Sequence, residues 1–419
     1  MTADAVAAAD APTLRALLGQ RAYLLMWTAR LMGNLATSIQ SIAIAWHVYA
    51  VARQTGTVAQ GAFAVGMIGL AQFVPMFFLA LIAGAVADRH DRRLIMTACM
   101  AVELASAGAL CALAYTHVPA LWPIYGIAVA FGAARAFYQP AGSALGPTLV
   151  PRYLLPRAIA MNSLSWQLAS VVGPAIGGFL VAGSSALAFG AAGGLFGLSI
   201  VLLCCFASPP QAWNEGSSRL EQIREGLVYL WTNRFVLGAI SLDLFAVLLG
   251  GATALLPVYA RDVLHAGSQG FGVLRAAPAI GGVTMALVLG ARPIRRHAGV
   301  KMFLAVAGFG LATVVFALSR SVALSVAALA LLGASDMISV FVRQSLVQIR
   351  TPNEMRGRVA AVATLFIGAS NELGEFESGL AARFLGPIGA ALFGGVGSLV
   401  VTGLWSVLFP ELRKADRLE

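Results

Sequence analysis

The chain has 419 residues, of which 59% are hydrophobic and only 11% are charged. Ordinary soluble domains run near one quarter charged, so a water-soluble globule is excluded and most of the surface must face lipid. The formal net charge of +10 does not make the chain a nucleic-acid binder, because its basic groups stand singly or in short groups between apolar runs instead of clustering together.

Residues 1–21 read as a short arm, weakly helical around 14–18, with no cleavable signal sequence. A helix needs about 20 apolar residues to cross the hydrocarbon core. Twelve stretches qualify: 22–51, 58–87, 94–115, 120–144, 158–182, 186–207, 235–263, 269–291, 302–319, 322–344, 359–383 and 384–409. Between the sixth and seventh lies 208–234, which opens with Pro209-Pro210 and then spaces Leu220, Ile223, Leu227 and Leu230 as one face of a helix. The expected organisation is an all-α membrane protein: a bundle over 22–207, an amphipathic linker over 208–234, a second bundle over 235–409 and a tail over 410–419.

Lysine occurs only at Lys301 and Lys414, so the positive charge is arginine. With both termini inside, twenty Lys and Arg residues fall on the cytoplasmic side and four (Arg53, Arg261, Arg320, Arg383) outside. One misplaced span would invert every later loop, so this bias fixes the orientation. Cys99 and Cys111 share one apolar run and Cys204 and Cys205 another, which reads as buried free thiols; no metal or cofactor is expected.

The basic loop Gly84 to Arg93, GAVADRHDRR, has the spacing Gly-x-x-x-Asp-Arg-x-x-Arg-Arg. It resembles the loop between the second and third helices of major facilitator transporters, with Asp91 where the usual pattern has a second glycine. Its Asp-Arg-Arg ending, together with Asn162–Gln167, Asp243–Ala246, Arg350–Arg358 and Ser370–Gly379, is similar to the branch that contains the enterobactin exporter, macrolide efflux proteins and transmembrane secretion effectors. The halves also echo each other. His47-Val-Tyr-Ala50 matches Pro257-Val-Tyr-Ala260, Phe131–Arg135 aligns with Leu332–Asp336, and a second basic loop stands at Arg292–Lys301. Paired halves around a central pathway are the arrangement of a secondary transporter.

A charge inside a span costs roughly 2.5–3.5 kcal/mol on insertion scales, so each needs a partner or a wet cavity. The resemblance implies that the first, fourth, seventh and tenth helices line that cavity. Arg30, Arg135, Asp243, Asp336 and Arg343 fall on these helices. Arg30, Asn34, Thr37 and Ser41 step along one face of the first span, Arg135 and Gln139 are one turn apart on the fourth, and Asp336, Ser339 and Arg343 share a face of the tenth. The alternative for the serines and threonines is plain helix-to-helix hydrogen bonding. Arg135 and Asp336 are repeat-equivalent, so they are expected to face each other across the pathway, where charges of this kind either form ion pairs between the halves or accept substrate and proton. Glu103 reads as a buried, partnered acid. Glu372, Glu375 and Glu377 admit pairing with Arg275 or Arg343, proton binding, or a structural place beside Gly374 and Gly379. Arg275 has no assigned role.

In the loops, Asp88 among Arg89, Arg92 and Arg93 suggests an ion-paired latch beneath Gly84, as the resemblance implies, with Arg356 and Arg358 doing likewise in the second half. The alternative is orientation and solubility alone. Gly173-Pro174-Ala-Ile-Gly177-Gly178 resembles part of the antiporter motif of drug exporters, although Ala169 stands where a further glycine is expected; close helix packing is its physical content.

No Gly-x-x-x-x-Gly-Lys-Ser/Thr loop is present, so transport must draw on an ion gradient, and protons are the expected ion. No catalytic constellation points to an enzyme. The expectation is a monomeric inner-membrane exporter of an amphipathic small molecule, siderophore-type on the resemblance. Multidrug or macrolide efflux is the alternative, and a membrane protein that binds without transporting is the third.

Overall fold

The computed structural model describes residues 14–116, 119–208, 219–292, 294 and 296–416. Most of residues 1–21, the Pro-rich start of the linker (209–218), Arg295 and Arg417 lie outside the described residues. The spans are α1 (Arg21–Thr55), α2 (Val58–Arg89), α3 (Arg92–Tyr115), α4 (Trp122–Leu145), α5 (Leu155–Gly183) and α6 (Ser185–Cys204) in the first half. The second half has α7 (Arg234–Gly250, prolonged by Ala252–Leu255, Leu256–Val258 and Tyr259–Val263), α8 (Gly267–Ala291), α9 (Ala298–Leu318) and α10 (Val322–Arg350). The last helical run, Asn353–Leu408, supplies α11 (353–385) and α12 (387–408), because Gly386 is non-helical at φ 73° and ψ 167°. A side chain would strain this backbone, and Pro387 starts the next helix with its φ already set. The break thus falls three residues after the expected one, leaving Arg383 within α11 over the Phe63 ring at 5.0 Å.

Ten helices among the described residues are long and apolar enough to cross a membrane. The division of the last run into two, and the 24-residue α4 that stands outside those ten, are consistent with twelve crossings.

Sequence similarity between the halves reappears as packing. In the first half α1 packs on α5 and α6, α2 on α4, and α3 on α4 and α6; α7 to α12 repeat the pattern. Equivalent hydrogen bonds mark the repeat: Ser199 of α6 donates to the Ala29 carbonyl of α1 at 2.9 Å, and Ser398 of α12 to the Ala246 carbonyl of α7 at 2.9 Å. Each satisfies a hydroxyl that lipid could not.

Two helix pairs join the halves, α2 with α11 and α5 with α8, and both are built on glycine. A Cβ on Gly66 would stand 2.8 Å from Gly379 Cα, and one on Gly178 would stand 2.6 Å from Gly272 Cα. Gly173 and Gly177 of the same α5 motif instead face α1, at Ser38, Ile39 and Ile42. The motif therefore packs two ways, and the Pro174 carbonyl abuts Gly272.

Between the halves runs the helix Arg219–Thr232. Leu230 is buried against Val236, Ile240, Val359 and Val362, with Leu227 packed beside them; the side chains of Leu220 and Ile223 lie outside the described residues. Arg358 ties α11 to this helix through Glu225 at 2.7 Å.

Overpacking a helix contact of this kind costs about 1–3 kcal/mol. Gly66→Val should therefore part α2 from α11. A cysteine placed at Ala62, which is fully buried, should react faster with maleimide in that background than in the parent.

Candidate functional site

The charged side chains collect in three groups, one within the second half and two that join the halves. In the second half, Arg343 of α10 and Asp243 of α7 form a 2.7 Å ion pair, only 5% and 7% exposed. Asp336 lies two turns from Arg343 on the same face of α10. Together with Asp243, Ser339, Val306 and Phe309 it lines a narrow cleft between α7, α9 and α10. Asp336 has no ion pair of its own among the described residues, although it sits within electrostatic reach of both Asp243 and Arg343. One guanidinium thus serves two carboxylates. Removing water from such a group makes the balance of charge decisive, since an unmatched ion is far more costly there than in solvent.

The second group spans the halves. Arg135 of α4 donates through Nη1 to Glu372 Oε1 of α11 at 3.0 Å and to Gln72 Oε1 of α2 at 3.1 Å. One turn along α11, Glu375 accepts from Arg275 of α8 at 3.4 Å and from Thr253 at 3.3 Å. The expected pair of Arg135 with Asp336 is absent: Asp336 is turned into the cleft of its own half, and α11, wedged against α2, presents Glu372 to Arg135 instead. Of the alternatives open for the α11 acids, Glu375 takes Arg275. Among the described residues, Glu377 meets Ser378, at 3.5 Å.

The polar face of α1 divides. Arg30 donates to the Gly142 carbonyl of α4 at 3.2 Å and Asn34 to Ser165 of α5 at 3.4 Å. Ser41 only returns to the Thr37 carbonyl of its own helix at 2.8 Å, the plain structural alternative. Gln139 is exposed on α4. Glu103 of α3 is 1% exposed, and its Oε2 has no hydrogen-bond partner.

The third group was not visible in the sequence. At the end bearing the α1–α2 turn, Asp262 accepts from the Tyr49 hydroxyl and pairs with Arg53 at 3.5 Å, joining α1 to α7. The wider π-helical turn Tyr259–Val263 carries Asp262. Both partners adjoin the repeated Val-Tyr-Ala, the one linear signal that they share.

In the basic loop the latch differs from expectation. Asp88 and Arg89 are exposed, and Asp88 has no ion pair among the described residues. The arginines instead close helix C-termini, where carbonyls lack partners and the dipole favours cations. Arg92 reaches the Ala87 carbonyl of α2 at 3.3 Å and the Ala144 carbonyl of α4 at 3.1 Å; Arg93 reaches the Phe206 carbonyl after α6. Asp91 caps α3 by accepting from the Arg93 amide at 2.9 Å, which explains an acid in place of glycine. Gly84 is buried in α2 above them. Arg356 does the same for α10, donating to Gln348 and Thr351 carbonyls at 3.0 and 3.2 Å.

Two bundles related by an internal repeat, with charge gathered at their seam, define a major facilitator transporter. Residues 13–419 match the family model described as transmembrane secretion effector, and the chain belongs to that family, whose members are transporters and not enzymes. It is 28% identical over 341 residues to the enterobactin exporter EntS of Escherichia coli O139:H28, covering 81% of this chain and 82% of that protein; the Escherichia fergusonii exporter of the same name matches equally. Among solved structures, the peptide-transporter-family protein PepTSo superposes with a TM-score of 0.73 at 13% identity, covering 94% of this chain and 99% of that one. A D-xylose–proton symporter gives 0.71 at 12% identity, covering 94% and 98%. At these identities the structures establish the shared fold alone.

Breaking a buried pair by removing one partner costs about 3–5 kcal/mol, whereas replacing both with apolar groups is often neutral. Arg343→Met, which strips both carboxylates of their cation, should thus lower the melting temperature of the purified protein, and adding Asp243→Leu and Asp336→Asn should restore most of it.

Proposed function

We propose that this protein is a proton-coupled secondary active exporter of an amphipathic small molecule, of siderophore type, working by alternating access in a bacterial inner membrane. Both termini are cytoplasmic in this reading, as the arginine bias requires, and the protein acts as a monomer. The observation that carries the coupling is the buried Asp243–Arg343 pair with Asp336 beside it. Two carboxylates around one guanidinium leave one negative charge in excess, and a proton is the small cation that can neutralise it and depart. The chain has no nucleotide-binding loop to supply energy otherwise.

Alternating access is supported by the contacts at the seam. Gly66–Gly379, Gly178–Gly272 and the Tyr49–Asp262–Arg53 cluster all lie toward the α1–α2 end, which is the outer end under the arginine bias. Small residues let these helices touch closely and also separate without leaving a deep cavity. The likeness to enterobactin exporters supports the siderophore class.

In inverted membrane vesicles, proton-driven transport should fall at least tenfold in Asp336→Asn and vanish with a protonophore. Undiminished proton-driven transport in both Asp243→Asn and Asp336→Asn would refute the coupling role. Loss of a secreted siderophore from an iron-limited deletion strain would support that substrate, whereas greater macrolide sensitivity alone would assign drug efflux.

A further inference from the structure

The walls that meet at the seam differ in sign. Between residues 14 and 208 the acids are Asp88, Asp91 and Glu103. Only Glu103 lies within a span, and at 1% exposure it is shut behind the wall. The same half contributes Arg30 and Arg135. The spans of the second half carry Asp243, Asp336, Glu372, Glu375 and Glu377 against Arg275 and Arg343, and of these acids Glu372 reaches across to the first half.

Arg30 has no acidic partner among the described residues, its Nη1 being used on the Gly142 carbonyl. Arg135 draws its acid from the other half. A guanidinium has five N–H donors in a planar fork, and the hydrogen bonds of Arg30 and Arg135 use only Nη1 on each. Their remaining nitrogens are not among the buried atoms that lack partners, whereas Nε of Arg343 and of Arg53 is. The spare donors of Arg30 and Arg135 therefore stay accessible. Gly142, which holds Arg30, is seven residues beyond Arg135 on α4, about 10.5 Å along the helix. Exposed Gln139 stands on the same face between them.

Resting on the exporter reading, we infer that Arg30 and Arg135 form the site for an acidic group of the exported molecule, and that this group takes Arg135 from Glu372. The substrate class is an amphipathic anion carrying a carboxylate or another planar oxyanion, which the free forks match in geometry and charge. Its arrival replaces an ion pair between the halves with one inside the first half. Occupancy then removes one tie between α4 and α11. Protons are handled on the acidic wall and the anion on the basic one.

The test uses the full-length protein in nanodiscs, with carboxyfluorescein as an anionic probe and ethidium as a cationic one, read by fluorescence polarisation. Loss of charge-assisted hydrogen bonds should weaken carboxyfluorescein binding about tenfold or more in Arg30→Gln, with Arg30→Lys, which keeps the charge and loses the planar fork, falling between it and the parent. Glu372→Gln removes the competitor for Arg135 and should tighten binding, which damage to the fold would not do. Absence of carboxyfluorescein binding, or affinity indifferent to Arg30 and Glu372, overturns the inference. Proton-driven ethidium transport in proteoliposomes without anion binding would also overturn it, while leaving the exporter reading intact. Anion binding that follows the variants as expected, with no proton-driven transport, would sustain it and sink that reading instead.

Discussion

Lipid offers a charged or polar group no hydrogen-bond partner, and that constraint shapes the inside of this protein. Four arginines within the spans have each found an oxygen: Arg30 a helix carbonyl, Arg135 a glutamate and a glutamine, Arg275 a glutamate, Arg343 an aspartate. Since the partners come from other helices, each satisfied charge also fixes a helix contact. The dense Asp243–Arg343 pair holds α7 and α10 within one half. Arg135–Glu372 is more open and bridges the halves. Burial thus sorts the ion pairs into those that hold a bundle together and those that join the bundles at their seam.

The rest of the seam is made from the absence of side chains. Glycine faces glycine at Gly66–Gly379 and Gly178–Gly272, so the backbones approach with few interlocking side chains. Contacts of this type gain dispersion energy over a flat surface without locking it. Within each half, hydroxyls such as Ser199 and Ser398 bridge helices, and arginines such as Arg92, Arg93 and Arg356 close helix ends by binding carbonyls. The bundles are therefore tied at their ends while their shared surface stays smooth.

Electrostatic asymmetry between the walls follows from the same economy of charge. The first half keeps a single acid in its spans and buries it; the second half carries several, of which Glu372 crosses to the first half.

The amino-acid sequence alone determined the spans, the arginine bias, the internal repeat and which helices bear charge, because length, apolar periodicity and loop composition are local properties. Arg30, Asn34, Gln139, Asp336 and Arg343 were recognisable by helical spacing for the same reason. Tertiary structure decided the partners. Arg135 meets Glu372 and not its repeat mate Asp336, Asp262 reaches Tyr49 across the seam, and Arg92 binds carbonyls while Asp88 stays in the open. Such choices depend on how each helix is rotated, tilted and wedged against its neighbours. A one-dimensional period records which face of a helix is polar, and only packing in three dimensions decides what that face touches.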